Sequence, residues 1–208
     1  MAQAVSGPGP IVSCIMPISS RHPREMVDRA VDSFNALELR PTELISIRDA
    51  IWRGASVGEL RNACIRRALG SVIAHWDSDD VSSPDRLARS LAEIKAGADL
   101  VGSSLIRYVE PATKRAWLYD GAYAGKDPWL AGGTYVYRRT LWERHNFDLW
   151  LPQGEDTEFL NWARENGAKV VDLRDADLYT ATIHPGNTGR KHPVAPAWTQ
   201  IQWEERWA

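Results

Sequence analysis

An apolar run that ends in crowded carboxylates is the feature that most constrains this chain. In the segment 71–80, a run typical of a buried strand is followed directly by Asp77, Asp79 and Asp80. Two unit charges about 4 Å apart near a protein surface repel each other by about 4 kcal/mol, so these acids need compensation. A metal ion, a proton shared between the acids or open solvent could each provide it. The segment therefore predicts either a ligand site or a solvated acidic turn at the end of a strand.

The composition is typical of a soluble globular protein. The chain has 208 residues, enough for one domain with a real core, of which 44% are hydrophobic and 25% are charged. A net charge of −2 gives no general attraction to nucleic acid or to anionic membranes. Cys14 and Cys64 lie in apolar segments without metal-ligand spacing, which predicts buried free thiols in a reducing compartment. Since neither a transmembrane segment nor a signal peptide is evident, we expect a cytoplasmic protein.

Strand-like apolar runs alternate with segments of helical spacing. Strands are predicted at 11–16, 43–49, 71–76, 98–108, 135–137, 170–171 and 179–183, and the first is expected to end at Pro17. Helices are predicted at 27–37, 56–70, 83–97 and 155–166, with a capping box at Ser56 and a serine–proline start at Ser83. The segment 110–126 is predicted to be a loop.

This alternation predicts an α/β fold with a mostly parallel sheet flanked by helices on both faces. Ligands of such sheets bind beyond the carboxyl ends of the strands. Asp49 and the acids at 77–80 both fall at such ends. We therefore expect them to lie at one edge of the sheet.

Two later patterns have a functional and a structural interpretation. Gly132 and Gly133 precede a short strand, where glycine permits close approach of a ligand to the backbone but equally permits a plain turn. Glu155 and Asp156 open a predicted helix, where the helix dipole favours acids without any catalytic role. The strand that closes the pattern delivers His184 at its end.

The two ends of the chain differ from its centre. Residues 1–10 are rich in glycine, proline and alanine and predict a disordered lead-in. Residues 191–208 form a tryptophan-rich tail, in which 197–207 is predicted to be a short helix. Trp203 and Trp207 would lie on the face of this helix opposite the one that docks. We expect that face to meet a second subunit, giving a homodimer, or a partner protein, and the alternative is that it folds over a groove of its own chain.

Six motifs occur in an order that resembles the inverting family-two glycosyltransferases with the GT-A fold. They are the first strand with Pro17, Gly58 with Arg61-Asn62-Ala63, the acidic box Asp77-Ser78-Asp79-Asp80, Gly132-Gly133-Thr134, Glu155-Asp156, and His184. The resemblance covers about 11–187. It implies a single GT-A domain over 11–190, with a Rossmann-like, mostly parallel sheet and a nucleotide-sugar donor.

The resemblance implies a donor site and a metal site. Asp49 would touch the nucleotide base, although Arg48 stands where the family has a second acid, and Asp77 would face the ribose. The implied donor-binding residues are Asp49, Arg61, Asn62, Asp77, Gly132 and Gly133. Asp79 would bind a divalent metal, and the implied metal-site residues are Asp77, Asp79, Asp80 and His184. Oxygen ligands suit Mn²⁺ or Mg²⁺, and a histidine modestly favours Mn²⁺.

The resemblance also implies a single-displacement mechanism with one catalytic base. Asp156 would take the proton of the attacking acceptor hydroxyl, which contributes about 10²- to 10⁴-fold to the rate, and Glu155 would orient the site. The acceptor is left open between a glycan, a lipid-linked sugar, a protein side chain and a modified nucleobase.

Two other functions compete with this one. The segment 77–81 also fits the aspartyl-nucleophile motif of haloacid-dehalogenase-like phosphatases, although that motif normally follows the first strand of its domain. The chain could also be a carbohydrate- or nucleotide-sugar-binding protein on the same scaffold that has lost turnover. Detection of an aspartyl-phosphate would favour the first alternative, and absence of donor hydrolysis the second.

Overall fold

A computed structural model describes residues 12–41, 43–51, 54–123, 125, 127–189, 191–194 and 196–207. The helices are Arg24–Asn35 (α1), Val57–Arg67 (α2), Arg86–Lys95 (α3), Arg139–Arg144 (α4) and Glu155–Glu165 (α5). The strands are Val12–Ile18 (β1), Glu43–Arg48 (β2), Val72–His75 (β3), Val81–Ser82 (β4), Leu100–Gly102 (β5), Leu105–Glu110 (β6), Arg115–Asp120 (β7), Val136–Arg138 (β8), Val170–Asp172 (β9), Tyr179–Thr182 (β10) and Trp198–Ile201 (β11). The predicted disordered lead-in lies outside the described residues. Within the described ranges, no helix has both the length and the apolar character needed to cross a bilayer.

A six-stranded sheet forms the centre of the domain, in the order β2-β1-β3-β8-β5-β9. The strands β2, β1 and β3 are mutually parallel, as are β5 and β9. Strand β8 is antiparallel to both of its neighbours. The α/β class and the mostly parallel central sheet are confirmed, since β8 alone among these six strands runs in the opposite direction.

Alternating side chains of the central strands bury both faces of this sheet. Ile15 of β1 faces a core that includes residues of α2 and α5, whereas Cys14 and Met16 face a core that includes residues of α1 and α3. This alternation follows from the two-residue period of a strand. Both cysteines are free and buried, as predicted.

Strand β1 continues through Pro17, contrary to the predicted stop there. The carbonyl oxygen of Ile15 accepts a hydrogen bond from the backbone N–H of Trp76, so this side of β1 faces β3. Pro17 lies two residues further on and directs its nitrogen to the same side, where β3 has already ended. Since no strand there needs a donor, the missing N–H of proline costs nothing.

Two predicted helix starts have different outcomes. Ser56 caps α2, because its Oγ accepts from the backbone N–H of Glu59 at 3.1 Å, as the capping box predicted. Helix α3 begins at Arg86, with Asp85 rather than Ser83 at the N-cap position. Ser83 Oγ instead donates to the Asp85 carboxylate at 2.6 Å. The proline therefore lies in the turn before α3 and not in its first turn.

A second sheet has the order β11-β7-β6-β10-β4 and includes three strands that the sequence did not predict, β4, β7 and β11. Strand β7 lies in the segment expected to be a loop. It returns antiparallel to β6 after a turn in which Lys114 has a φ of 49°. Apolar periodicity does not predict this hairpin, because its turn is short and both strands have charged residues next to the turn.

The tail is not the predicted short helix. Residues 198–201 form β11, which pairs antiparallel with β7, and only Glu205–Trp207 forms a single 3-10 turn. The unpaired edge of β7 supplies the backbone partners that favour a strand here. The ring of Trp198 packs 4.7 Å from that of Tyr108 and 4.9 Å from that of Tyr119, measured between centroids. Tertiary pairing therefore overrides the helical pattern.

The last tryptophans contact their own chain. The guanidinium of Arg107 in β6 lies 4.8 Å from the centroid of the Trp207 ring, and the rings of Trp203 and Trp207 pack edge to face at 6.1 Å. Strand alternation places Arg107 on the opposite face of the sheet from Tyr108. This agrees with the same-chain alternative for Trp207. A homodimer through the tail stays a prediction.

The packing of Trp198 generates a test of the tail's structure. We expect Trp198→Ala to lower the free energy of unfolding by about 2 kcal/mol, less than the roughly 3–5 kcal/mol for a fully buried tryptophan, because this ring is half-buried. Trp150→Ala is the matched control, since Trp150 is 90% exposed, and should change stability by less than about 0.5 kcal/mol. Urea unfolding of the two variants measures the difference, and equal stabilities would contradict the docking of β11.

Candidate active site

A cleft of about 410 Å³ opens between the two sheets, at the edge where β1, β2 and β3 end. This volume falls within the roughly 300–1,000 Å³ of small-molecule sites. The predicted site residues that line it are Asp49, Arg61, Asp77, Asp79, Asp80, Gly132, Gly133, Glu155 and Asp156. The structure thus brings together motifs that are as far as about one hundred residues apart in the chain.

Asp77 and Asp80 share the Tyr179 hydroxyl as a partner, and each has a second partner of its own. The Asp77 carboxylate accepts from Arg61 Nη2 and from the Tyr179 hydroxyl, both at 3.3 Å. Asp80 accepts from the backbone N–H of Thr182 at 2.8 Å and forms a short hydrogen bond with the Tyr179 hydroxyl. Burial, followed by the charges of Asp79 and Asp77, raises the pKa of Asp80 well above its usual range. Both carboxyl groups are therefore committed to protein contacts.

Asp79 is turned toward two histidines. Its Oδ2 lies 3.0 Å from His184 Nε2 and 3.5 Å from His22 Nε2, and Asn187 Nδ2 donates to the same oxygen at 3.3 Å. Burial favours a raised pKa for Asp79, but the hydrogen bond from His184 and the neighbouring imidazoles outweigh it and lower that pKa. Burial also lowers the pKa of His22, and the attraction of Asp79 offsets this only in part. The cluster is thus one carboxylate beside a neutral His22 ring.

The donor set of this cluster fits a divalent metal ion. One ligand atom from each of His22, Asp79 and His184 lies within 4.8 Å of the other two. His22 Nδ1 faces Ser78 Oγ at 2.9 Å, which leaves the lone pair of Nε2 for a cation when Nδ1 carries the proton. His184 Nδ1 accepts from the backbone N–H of Gly186 at 3.1 Å, so ligation through its Nε2 requires that contact to be exchanged. Asp77 and Asp80, which were also expected at the metal site, bond to Arg61, Tyr179 and Thr182 instead of the histidines, and their role as metal ligands stays a prediction.

Arg61 holds the two acidic motifs together. It projects from α2 and is buried, with Nη2 on Asp77 and Nη1 in a short ion pair with Glu155. Burial alone disfavours its charge, but Glu155, Asp77 and Asp156 together raise the pKa of Arg61 above its usual value. Burial raises the pKa of Glu155, and Arg61 opposes that effect. Glu155 is therefore occupied by an ion pair inside the protein.

Asp156 is the acid of its pair that is partly exposed in the cleft. Its Oδ1 accepts from the backbone N–H of Thr157 at 2.7 Å, in the first turn of α5. Its Oδ2 packs against Gly132, where a Cβ would overlap it. Trp129 Nε1 donates to Thr157 Oγ1 at 2.9 Å and covers this end of α5. One carboxylate oxygen is thus fixed by the backbone while the other has no hydrogen bond within the described residues.

The paired glycines make room for side chains on both sides. A Cβ on Gly132 would overlap Asp156, and a Cβ on Gly133 would overlap the Tyr179 hydroxyl and Asp77. His75 holds the turn from beneath, since its Nδ1 donates to the Gly132 carbonyl at 2.8 Å. Burial lowers the pKa of His75 well below its usual range, so the ring is a neutral donor. The glycines therefore separate the acidic box from Asp156.

Asp49 and Asn62 were both predicted to contact the donor, but only Asp49 lies in the cleft. Asp49 lies in the cleft, where its carboxylate accepts from the backbone N–H of Ser20 at 2.8 Å and fixes the loop after β1. Asn62 is buried beneath α2 and does not reach the cleft. Its amide oxygen accepts from Trp142 Nε1 at 2.7 Å, and its Nδ2 donates to the carbonyl oxygen of Phe147 at 2.8 Å. The prediction that Asn62 contacts a donor is wrong, because α2 turns this side chain into the core.

Sequence reasoning missed three residues of the site, namely His22, Tyr179 and Asn187. His22 follows the carboxyl end of β1, which pairs with β3, so its position in that loop was the signal that could have found it. Tyr179 was placed in a strand, but its contact with Asp80 spans 99 residues and leaves no local pattern. Asn187 lies three residues after His184, and its side-chain oxygen accepts from the backbone N–H of His184 at 2.9 Å.

Arg61 gives a stability prediction. We expect Arg61→Met to lower the free energy of unfolding by about 3–5 kcal/mol, because it leaves Glu155 buried without its counter-charge. Arg66→Met is the control, since Arg66 lies on the exposed face of the same helix. Chemical denaturation measures both, and a loss in Arg61→Met no greater than in the control would contradict the buried pair.

The second glycine gives a packing prediction. We expect Gly133→Ala to destabilise the fold by about 1–3 kcal/mol, because the new methyl group overlaps Tyr179 and Asp77. Gly125→Ala is the matched control, since nothing lies within 4 Å of a Cβ placed there. Thermal unfolding compares the two, and a fully stable Gly133→Ala would show that this turn can move.

Comparisons with known proteins support a family and a fold. The model of Glycosyl transferase family 2 matches residues 53–150. No curated protein matches the chain by sequence. Among solved structures, TarS 1-349 from S. aureus in complex with UDP-GlcNAc is 17% identical, with a TM-score of 0.57 over 85% of this chain and 60% of that one. The mannosyltransferase PcManGT from Pyrobaculum calidifontis, in complex with GDP-Man and Mn²⁺, is 14% identical, with a TM-score of 0.65 over 86% and 59%.

The similarity covers most of this chain but only part of each solved structure. The chain spans about 60% of the length of these two solved structures, so the comparison concerns the domain that they share. At these identities, the structural likeness carries the fold, and the family match carries the central part of the sequence. Both agree with the mixed α/β sheet and the acidic cleft described above. The chain thus has the GT-A fold of glycosyltransferases, and its residues 53–150 match the model of Glycosyl transferase family 2.

Proposed function

We propose that this protein is a metal-dependent, inverting glycosyltransferase that moves a sugar from a nucleotide-sugar to an acceptor hydroxyl. The observation that carries the proposal is that the Asp79 cluster and the partly exposed Asp156 line one cleft, separated by the turn at Gly132 and Gly133. The nucleotide-sugars bound by TarS and PcManGT support a donor of that class.

The donor would lie along the acidic edge of the sheet. Asp49 and Asp77 line the part of the cleft where the nucleoside would bind, and Asp79 with His184 would hold Mn²⁺ or Mg²⁺ beside the diphosphate. A bound divalent cation supplies positive charge for the leaving diphosphate. Without it, Asp79 would repel the phosphate groups, because its lowered pKa keeps it ionised at neutral pH.

Asp156 is the proposed base. The acceptor oxygen attacks the anomeric carbon from the side opposite the diphosphate, and Asp156 takes the hydroxyl proton. The new bond joins the acceptor oxygen to that carbon, while the bond to the phosphate oxygen breaks and its electron pair leaves with the diphosphate. Configuration is therefore inverted. Glu155 is unsuited to the role of base because Arg61 holds its carboxylate inside the protein, which supports an orienting role for it.

The cleft is compatible with one of the two competing functions and argues against the other. A binding protein without turnover would use the same cleft, and only a measurement of transfer or of donor hydrolysis separates it from an enzyme. The haloacid-dehalogenase-like alternative needs Asp77 as a free nucleophile, but Arg61 and Tyr179 both bind that carboxylate, and the fold is GT-A. We therefore retain the glycosyltransferase as the proposal. The acceptor class stays open.

The metal side gives the first functional prediction. We expect Asp79→Asn to weaken metal-dependent binding of a nucleoside diphosphate while the protein stays folded, because the amide cannot supply an anionic ligand. Calorimetry with UDP and with GDP, each with Mn²⁺ and with excess chelator, measures the effect. Nucleotide affinity that is unchanged in the variant and in chelator would refute the metal assignment.

The base gives a second prediction, tested with its neighbour as the control. We expect Asp156→Asn to keep donor affinity while transfer, or donor hydrolysis if no acceptor is found, falls by about 10²- to 10⁴-fold. Glu155→Gln should mainly reduce stability, because it weakens the buried ion pair. If Glu155→Gln were inactive and Asp156→Asn nearly normal, the two roles would have to be exchanged.

A further inference from the structure

Two imidazoles and one carboxylate form the cluster beside the acidic box, and this composition differs from the oxygen-rich site that the acidic box alone suggests. We propose that His22 is a direct metal ligand, so that His22, Asp79 and His184 bind a transition-metal ion in preference to Mg²⁺ and do so before any nucleotide arrives. The inference deepens the proposed function and rests on it for the use of the metal, although its test does not require activity.

The position of His22 is fixed by its surroundings. Its side chain is only 9% exposed, and the hydrogen bond between Nδ1 and Ser78 Oγ orients the ring. Ser78 lies between Asp77 and Asp79, so the residue that orients His22 belongs to the acidic box itself. A ligating histidine commonly has such a partner on its other ring nitrogen, which fixes the tautomer and the direction of the lone pair.

The two rings are arranged so that both can face one ion. The ring centroids of His22 and His184 are 5.1 Å apart, with an angle of 84° between the planes. Both Nε2 atoms lie near the same oxygen of Asp79, at 3.5 Å and 3.0 Å. A structural role for His22 would be satisfied by Ser78 alone and would not require its second nitrogen to meet Asp79.

The ligand types of His22, Asp79 and His184 determine which metal ion this cluster prefers. Mg²⁺ demands nearly octahedral oxygen ligands and dehydrates reluctantly, whereas imidazole suits first-row transition metals. Two of the three protein ligands here are imidazoles. The other acids of the box are committed, Asp77 to Arg61 and Asp80 to Tyr179 and Thr182, and do not add oxygen ligands. We therefore expect selection of Mn²⁺ over Mg²⁺, with Co²⁺ bound more tightly than Mn²⁺.

The number of protein ligands has a second consequence. Three side chains from one chain, each at most 14% exposed, give a site that is complete enough to hold an ion without phosphate oxygens. One carboxylate leaves a net charge of about +1 on a divalent ion with two neutral imidazoles. The open coordination positions and this residual charge then favour an anionic diphosphate.

The test uses the full chain without nucleotide and Mn²⁺ as the probe. Electron paramagnetic resonance of free Mn²⁺ measures binding, a large excess of Mg²⁺ measures selectivity, and pulsed measurements detect the nitrogen atoms bound to the ion. We expect binding that survives Mg²⁺, with nitrogen couplings from two imidazoles. His22→Gln should weaken Mn²⁺ binding by at least about tenfold and leave one nitrogen coupling.

His192→Gln is the matched control, because this histidine is exposed and lies outside the cluster; it should bind Mn²⁺ as the wild type does. Equal competition by Mg²⁺, no binding without nucleotide, or unchanged binding in His22→Gln would overturn the proposal. If His22→Gln fails to fold, the nitrogen couplings of the wild type decide alone, and fewer than two would overturn it. Mn²⁺ binding as expected with no transfer would instead refute the proposed function while leaving this inference standing.

Discussion

The structure depends on how three carboxylates at the end of one strand are kept apart. Asp77, Asp79 and Asp80 would repel one another if they shared one environment. Each has a different environment instead. Arg61 neutralises Asp77, the histidines face Asp79, and burial beside Tyr179 favours the neutral form of Asp80. The acidic box is therefore stable because the repulsion among its three carboxyl groups is reduced in a different way at each of them.

These partners come from distant parts of the fold, and this is what assembles the cleft. Arg61 belongs to a helix that packs on the central sheet, whereas Tyr179 and Thr182 belong to a strand of the second sheet. Because both contact the box, they hold the two sheets at the edge where the cleft opens. Arg61 also reaches Glu155 at the start of α5 and so fixes the position of the neighbouring Asp156. One cation thus links the donor side of the cleft to the proposed base.

Local patterns account for the parts of this site that the sequence could predict. The strand before Asp77, the serine cap of α2 and the acids that open α5 each depend on a few adjacent residues. The GT-A fold followed from the order of such motifs. Long-range contacts account for the rest. The only signal for His22 was its place in the loop after β1, because it meets Asp79 through the pairing of β1 with β3 and not through a local pattern. Asn62 shows the opposite error, because a motif names a residue type without saying which face of the helix it occupies. Strand β11 forms because the edge of β7 is open to it, which no helical pattern can reveal.

The central claim is that one cleft holds a cation at the Asp79 cluster and a base across the glycine turn. A crystal structure with Mn²⁺ and a nucleoside diphosphate, with anomalous scattering used to locate the metal, tests it most directly. We expect one strong anomalous peak within ligand distance of Asp79, His184 and His22, with the diphosphate bound to it and the Asp156 carboxylate facing the open end of the cleft. A peak held by Asp77 and Asp80 instead, or a nucleotide bound outside this cleft, would contradict the account.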